Sequence, residues 1–486
     1  MKERHIVTID LGSSKFALAV AKQEADDIQV IYYDEMPASG MSRGAVFNET
    51  TAAEAVRALK EKAENELGLS ITHAAVNLPR YEVKEISCQS SMELDPDKAI
   101  TLENVRDLME EAKQNCVIED PDKYVVYDAV SQSFSDGEVF QIRESEIVGL
   151  EREHIEGNFK IFVGRKSGQK RIDSVFSKTG ITPFFFFPAQ GTARAVLSDS
   201  EMETGVALVE IGAGVSSVTI YTDGILRCYG SIPFGGKVIT SDIKQECSIG
   251  EHLAENIKKG YGMCMPGKLL NLSEKKLQIR NKSTGADKQI PVRKLSEIID
   301  DRMGEIVDAV LYLIQESCLY DEIRNGIVLT GGCAELGNIA NKFNDMSGLA
   351  TKIGYPISRF GYTSGCAGIH DPAAAATTGL LIEAIRTTRI SYATPGSQRK
   401  TYTSPWERAE QRAGAGQQER TAEESGATLE ESGTRNEGNT GAQTADGNSK
   451  GENGRNKGKG VEPVKPKRKH SIFDKIGTLF SEEDEV

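Results

Sequence analysis

The feature that most constrains this chain is a motif that occurs twice, about two hundred residues apart. The first copy is Ile6-Val7-Thr8-Ile9-Asp10-Leu11-Gly12-Ser13-Ser14-Lys15-Phe16-Ala17-Leu18-Ala19-Val20. The second is Ala207-Leu208-Val209-Glu210-Ile211-Gly212-Ala213-Gly214-Val215-Ser216-Ser217-Val218-Thr219-Ile220-Tyr221. Each reads as an apolar strand with an acid near its end, a glycine-bearing turn with hydroxyls, and a returning strand. The turns are too short for a crossover helix, so each copy is expected to be a β-hairpin. Two ordinary hairpins are the plain alternative. A matched pair a domain's length apart favours a shared binding device.

The residue types suit a nucleoside triphosphate. Gly12, Gly212 and Gly214 let backbone N–H groups approach phosphate oxygens with no Cβ in the way. Ser13, Ser14 and Ser216 add hydroxyl donors, and Lys15 adds a positive charge. Asp10, at the strand end, is placed to hold the water shell of Mg²⁺. Two such hairpins facing each other would clamp the phosphates from both sides. A third element agrees: Ile327-Val328-Leu329-Thr330 is a buried strand, followed by the turn Gly331-Gly332-Cys333. Those glycines can lie flat against an adenine or a ribose, or simply make a strand-to-helix turn.

Strand-like runs alternate with helical patterns such as Thr51–Leu67 and Leu295–Leu319, which argues for an α/β class. The run Phe184–Phe187, between Pro183 and Pro188, is expected to be a buried strand. The net charge of −14 over 486 residues excludes a general nucleic-acid binder, which needs a basic stripe. The eight cysteines include no C-x-x-C pair, so neither a zinc site nor a disulfide framework is suggested. No apolar run reaches the length of a membrane-spanning helix, and Asp10 and Gly12 would interrupt a signal peptide, so a cytoplasmic chain is expected.

From 395 to 466 aliphatic and aromatic residues nearly vanish, and the stretch is expected to be a disordered linker. Apolar residues return in the tail, 467–486. On a wheel of about 100° per residue, Ile472, Phe473, Ile476, Leu479 and Phe480 share an arc of about 120°, and Lys465, Lys467, Arg468 and Lys469 precede them. The segment reads as an amphipathic helix that folds on a lipid surface or, alternatively, docks on protein. It is too short to be stable alone in water, where about 12–15 residues are needed.

The order of these motifs resembles the actin-like ATPase superfamily and, within it, the FtsA family of bacterial division proteins, over residues 5–390 plus the terminal helix. Several stretches carry the resemblance: Pro233-Phe234-Gly235-Gly236 leading into a helix, Ala254-Glu255-Asn256-Ile257-Lys258 on a ribose-contacting helix, and the small-residue helix Ala373–Leu381. It implies an actin-like (ribonuclease H-like) two-lobed fold. The first lobe would be 1–81 with 163–203, and an inserted subdomain 82–162 would serve self-association and later division proteins. The second lobe would be 204–394, with a small subdomain 225–305 that caps adenine and binds the tubulin-like FtsZ. It further implies ATP with Mg²⁺ as ligands, with Gly236, Glu255, Lys258, Gly331, Gly332 and Cys333 at the nucleotide, and a place on the cytoplasmic side of the membrane at the septum. Glu210 departs from the superfamily, which generally has Asp there. The added methylene moves the carboxylate by roughly 1.5 Å, so at most a slow ATPase is expected. No residue is assigned to position the attacking water; Gln190 lies near the expected place without matching a family motif. A pilus-assembly or cell-shape scaffold of the same fold, or a metabolite kinase, are the alternatives.

Overall fold

A computed structural model describes residues 3–25, 27–280, 287–357 and 360–395. The linker from 396 onward and the basic, apolar tail, including Lys467, Arg468, Lys469, Ile472, Phe473, Ile476, Leu479 and Phe480, lie outside the described residues, whereas Pro395 ends the strand Ala393–Pro395.

Two sheets are built to one plan. In the first, Arg4–Leu11, Lys15–Glu24 and Asp27–Pro37 form an antiparallel meander. His73–Asn77 then pairs parallel beside the opening strand, and Thr182–Phe186 parallel beside that. In the second, Val206–Ile211, Ser216–Thr222 and Ile225–Ile232 form the meander. Ile327–Thr330 and then Thr351–Ile353 add parallel strands beside its first member. The opening strands are walled in on both sides, which is why they read as continuous apolar runs rather than alternating ones. Ile6, Val7, Ile9, Val206, Ala207 and Val209 are fully buried.

The hairpin registers correspond. Leu11 pairs with Phe16 and Asp10 with Ala17; Ile211 pairs with Ser216 and Glu210 with Ser217. The acids therefore occupy equivalent places, and each turn spans four residues, 12–15 and 212–215. This is the actin-like two-lobed α/β fold.

Helices close the layers. Glu49–Leu67 starts at Asn48, whose side chain accepts from the N–H groups of Thr50 and Thr51. It stops at Gly68 in a left-handed conformation. Its Ala52, Ala53, Val56, Leu59 and Ala63 face the first sheet's core. Between strands of the first sheet, an antiparallel sheet of Lys84–Glu93, His154–Arg165 and Tyr124–Ser135, with His154–Arg165 central, carries the helix Leu102–Asn115. Val105, Leu108 and Ala112 of that helix meet Phe134, Phe159 and Ile161 in a core of their own.

Two expectations change here. The phenylalanine run is a half-buried edge strand, Thr182–Phe186, because no strand among the described residues pairs beyond it in its sheet. Ile225–Ile232 is the outer strand of the second sheet, so the separate helical piece starts after it rather than at 225. Helices Pro188–Val196 and Ala375–Thr387 cross beneath the cleft between the lobes. Gly191 and Gly379 meet there with no room for a Cβ on either side.

Candidate functional site

The two hairpin turns face each other across a cavity of about 370 Å³, a size that suits a small-molecule ligand. Each turn closes with the same hydrogen bond: Gly12 N–H donates to Lys15 O (3.1 Å) and Gly212 N–H to Val215 O (3.0 Å). Gly12 has no room for a side chain, and Gly212 has little. A Cβ at Gly12 would lie 2.7 Å from Lys15 O, and one at Gly212 3.0 Å from Val215 O. The turns also touch across the cleft, since a Cβ on Gly214 would sit 2.5 Å from Ser13 Oγ. The Ser13 hydroxyl accepts from Gly44 N–H (2.8 Å), and the side-chain oxygen of Asn77 accepts from Leu11 N–H (2.7 Å). These contacts fix the first turn from behind.

The second turn is tied to the helix after it. The carbonyls of Gly212 and Ala213 accept from Gly236 N–H (2.9 Å) and Lys237 N–H (2.8 Å) at the start of helix Gly236–Glu246. Gly331 has φ near 85° and lies against Ile211, so only glycine is comfortable there. On helix Glu251–Tyr261, Lys258 is buried at the cavity wall. Its ammonium donates to Gly236 O (2.9 Å), Thr240 Oγ1 (2.8 Å) and Glu255 Oε2 (2.8 Å). The Cys333 thiol lies 3.7 Å from Gly212 O, and burial pushes its pKa up to about 11. It is a packed neutral group at neutral pH.

Asp10, Gly12, Ser13, Ser14, Lys15, Glu210, Gly212, Gly214, Gly236, Glu255, Lys258, Gly331, Gly332 and Cys333 all line this one cavity. Ser216 does not. It is the first residue of the returning strand, the counterpart of Phe16, and its buried hydroxyl donates to Phe234 O (2.8 Å). Gln190 is also drawn away from the cavity: its amide donates to Asp128 Oδ2 (2.8 Å), and its oxygen accepts from Arg194 (3.0 Å).

Sequence reasoning missed Arg80. It lies beyond the strand His73–Asn77 of the first lobe and crosses the cleft to pair with Glu210 Oε1 of the second at 2.8 Å. Its backbone carbonyl accepts from the Tyr229 hydroxyl (2.6 Å), also of the second lobe. Burial drives the carboxyls of Asp10 and Glu210 above their usual range, and the Arg80 charge pulls both back. Burial works against the guanidinium too, but attraction to Glu210 and then Asp10 outweighs it and raises its pKa. Glu35, which pairs with Lys15, and Asp371 and Glu335 also line the cavity unforeseen. The signal available for Arg80 was its place just past the carboxyl end of a parallel strand, where ligands of α/β sheets bind.

Asp10 has one oxygen, Oδ1, without a hydrogen-bond partner among the described residues, and Thr377 reaches the other at 3.4 Å. Such a carboxylate could meet a hydrated divalent ion. The positive charge facing both Asp10 and Glu210 is, however, the Arg80 guanidinium. Among the described residues no cluster of three or more His, Cys, Asp or Glu side chains could hold a metal by itself.

Residues 207–379 match the family model described as Cell division protein FtsA. The chain is 26% identical over 361 residues to the Cell division protein FtsA of Borreliella burgdorferi, covering 74% of this chain and 86% of that one. It is 26% identical over 358 residues to the Cell division protein FtsA of Neisseria meningitidis serogroup B, covering 73% of this chain and 84% of that one. Among solved structures, a chain of the PilM-PilN type IV pilus biogenesis complex superposes with a TM-score of 0.53 at 14% identity, over 78% of this chain and 98% of that one. At that identity the likeness concerns the fold. No helix among the described residues is long and apolar enough to cross a membrane.

Proposed function

We propose that this chain, an actin-like protein similar to the FtsA division proteins over most of its length, acts in bacterial cell division as an ATP-binding tether between a cytoskeletal polymer and the membrane. The observation that carries the reading is the pair of equivalent glycine turns, fixed 12–15 against 212–215, facing a cavity that also holds the Gly331–Gly332 turn and Glu255 with Lys258. The turns take the phosphates, with Lys15 as a charge at the mouth. The adenine and ribose lie towards Gly236, Glu255, Lys258 and Gly331–Cys333. Glu210 is engaged by Arg80 rather than free to act on water, which fits slow turnover at most.

Around that site the remaining roles are proposed as what resemblance to the FtsA family implies. The small helical subdomain within 225–305 binds the polymer-forming partner FtsZ. The sheet and helix of 82–162 serve self-association and contact with later division proteins. The tail carries the head to the cytoplasmic face of the membrane at the septum. Half-burying its five apolar side chains contributes about 4–7 kcal/mol, and each basic residue near an anionic surface about 1 kcal/mol. Folding on contact costs about 2–5 kcal/mol. One helix is therefore a weak, reversible anchor, and several heads in one polymer bind by avidity. A flexible linker of the length of 395–466 allows a spacing of roughly 45 Å between head and surface.

The test is flotation with anionic vesicles, with and without ATP and FtsZ. The full chain is expected to float, to do so more completely with ATP, and to bring FtsZ with it. Phe473→Glu combined with Phe480→Glu is expected to leave both proteins at the bottom of the gradient. Flotation of the double variant at the wild-type level would remove the tail from the account. A floating chain that leaves FtsZ behind would remove the tether.

A further inference from the structure

We propose that Arg80 is the built-in cation at the phosphate end of the cleft, so that nucleotide binds this chain with little dependence on a divalent metal. The inference rests on the nucleotide reading of the cavity. It starts from a charge count at one spot. Two carboxyl groups, Asp10 buried on the first hairpin and Glu210 mostly buried on the second, line the cleft together, and burying carboxylates without compensation is unfavourable. A dication commonly provides that compensation where phosphates bind. Here a guanidinium provides it. Arg80 holds Glu210 at 2.8 Å and is the strongest attractive charge on Asp10.

The pairing is built in rather than accidental. The Arg80 side chain is mostly buried, 18% exposed against 11% for Glu210, and the Tyr229 hydroxyl holds its carbonyl from the opposite lobe. Thr192, on helix Pro188–Val196, is a further polar side chain close to Glu210. The guanidinium is also unfinished: Nη2 is buried without a hydrogen-bond partner among the described residues, as is Asp10 Oδ1. Arg80 lines the cavity, so a phosphate oxygen arriving between the turns can satisfy the free N–H groups. Guanidinium is well shaped for that, since it offers donors in a planar fork to a phosphate. A dication entering the same space would meet a fixed positive charge. The glutamate at 210 has a matching explanation, because its longer arm reaches across to Arg80 from the second hairpin.

The experiment is calorimetric titration of the full chain with ATP, once with Mg²⁺ and once with EDTA. Wild type is expected to bind with dissociation constants that differ by less than about threefold between the two buffers. Arg80→Gln is expected to bind more weakly, and to lose more than a further factor of about ten in EDTA, because its emptied carboxylate pair now needs the dication. Arg80→Lys, which keeps the charge but not the fork, is expected to stay nearly metal-independent. Wild-type affinity that falls more than about tenfold in EDTA would overturn the proposal without touching the nucleotide reading. Absence of binding in both buffers would overturn the nucleotide reading, and the proposal with it. The wild-type arm decides the matter even if Arg80→Gln folds poorly.

Discussion

Gly12→Val is expected to abolish ATP binding while leaving the rest of the head folded. The first added carbon would lie 2.7 Å from Lys15 O, well inside contact distance, and the atom it meets is backbone. The turn would have to open, breaking the Gly12 N–H to Lys15 O bond and moving Ser13 off Gly44. Ser13 also abuts Gly214, so the displaced turn would enter the space between the hairpins. The N–H groups proposed to serve the phosphates would then be misplaced together. Losing two or three charge-assisted hydrogen bonds of this kind corresponds to a drop of at least about a hundredfold in affinity, or about 3 kcal/mol. The change sits at a loop tip outside the apolar core, so the denaturation midpoint without ligand is expected to move little. Fluorescent ATP binding and chemical denaturation, measured side by side, check both halves. ATP bound with wild-type affinity would show that the turns do not hold it.

Gly379→Val is expected to strike the opposite property. A Cβ at Gly379 would lie 2.4 Å from the carbonyl carbon of Gly191 and 2.5 Å from the nitrogen of Thr192. Both are main-chain atoms of helix Pro188–Val196, so no side chain can turn aside. The helices must separate, and the groups they carry separate with them. Arg194 pairs with Glu383 across the crossing, Gln190 bonds Asp128 of the three-stranded sheet, and Thr377 faces Asp10. Overpacking a well-filled interior typically costs about 1–3 kcal/mol, and backbone against backbone belongs at or beyond the top of that range. Against a total stability of about 5–15 kcal/mol, that is a large fraction. Low soluble yield and a clearly lowered urea midpoint are expected, with Gly379→Ala intermediate. An unchanged midpoint would mean that the crossing is looser than its geometry.

Local chemistry was legible in the sequence and pairing was not. The hairpins announced themselves because an apolar strand, an acid and a glycine turn are contiguous, and because the pattern occurs twice. Ser216 was misplaced because its role depends on register: the turn ends at Val215, and one residue later the side chain belongs to a strand. The strand Ile225–Ile232 was assigned to the small subdomain although Asp223-Gly224 precedes it. Both residues have positive φ, 55° and 74°, as the tight two-residue hairpin turn requires. That dipeptide was a readable signal passed over. Arg80 was a different case. One arginine after Leu78-Pro79 is marked only by its place past a strand end, and its partner Glu210 is brought to it only by the closure of two lobes. The half-buried edge position of the phenylalanine strand was equally invisible, since an apolar run does not say how many neighbours it will have.

The cleft between the two hairpins is proposed as an ATP site, and photoaffinity labelling tests that most directly. The full chain is irradiated with an azido-adenine analogue of ATP, digested, and the modified peptides are identified by mass spectrometry. Label is expected within 236–262 and 331–336, stretches that line the cavity and that the proposed pose places against the adenine, and excess ATP is expected to suppress it. Label confined to other parts of the chain, or label that ATP does not compete away, would contradict the claim.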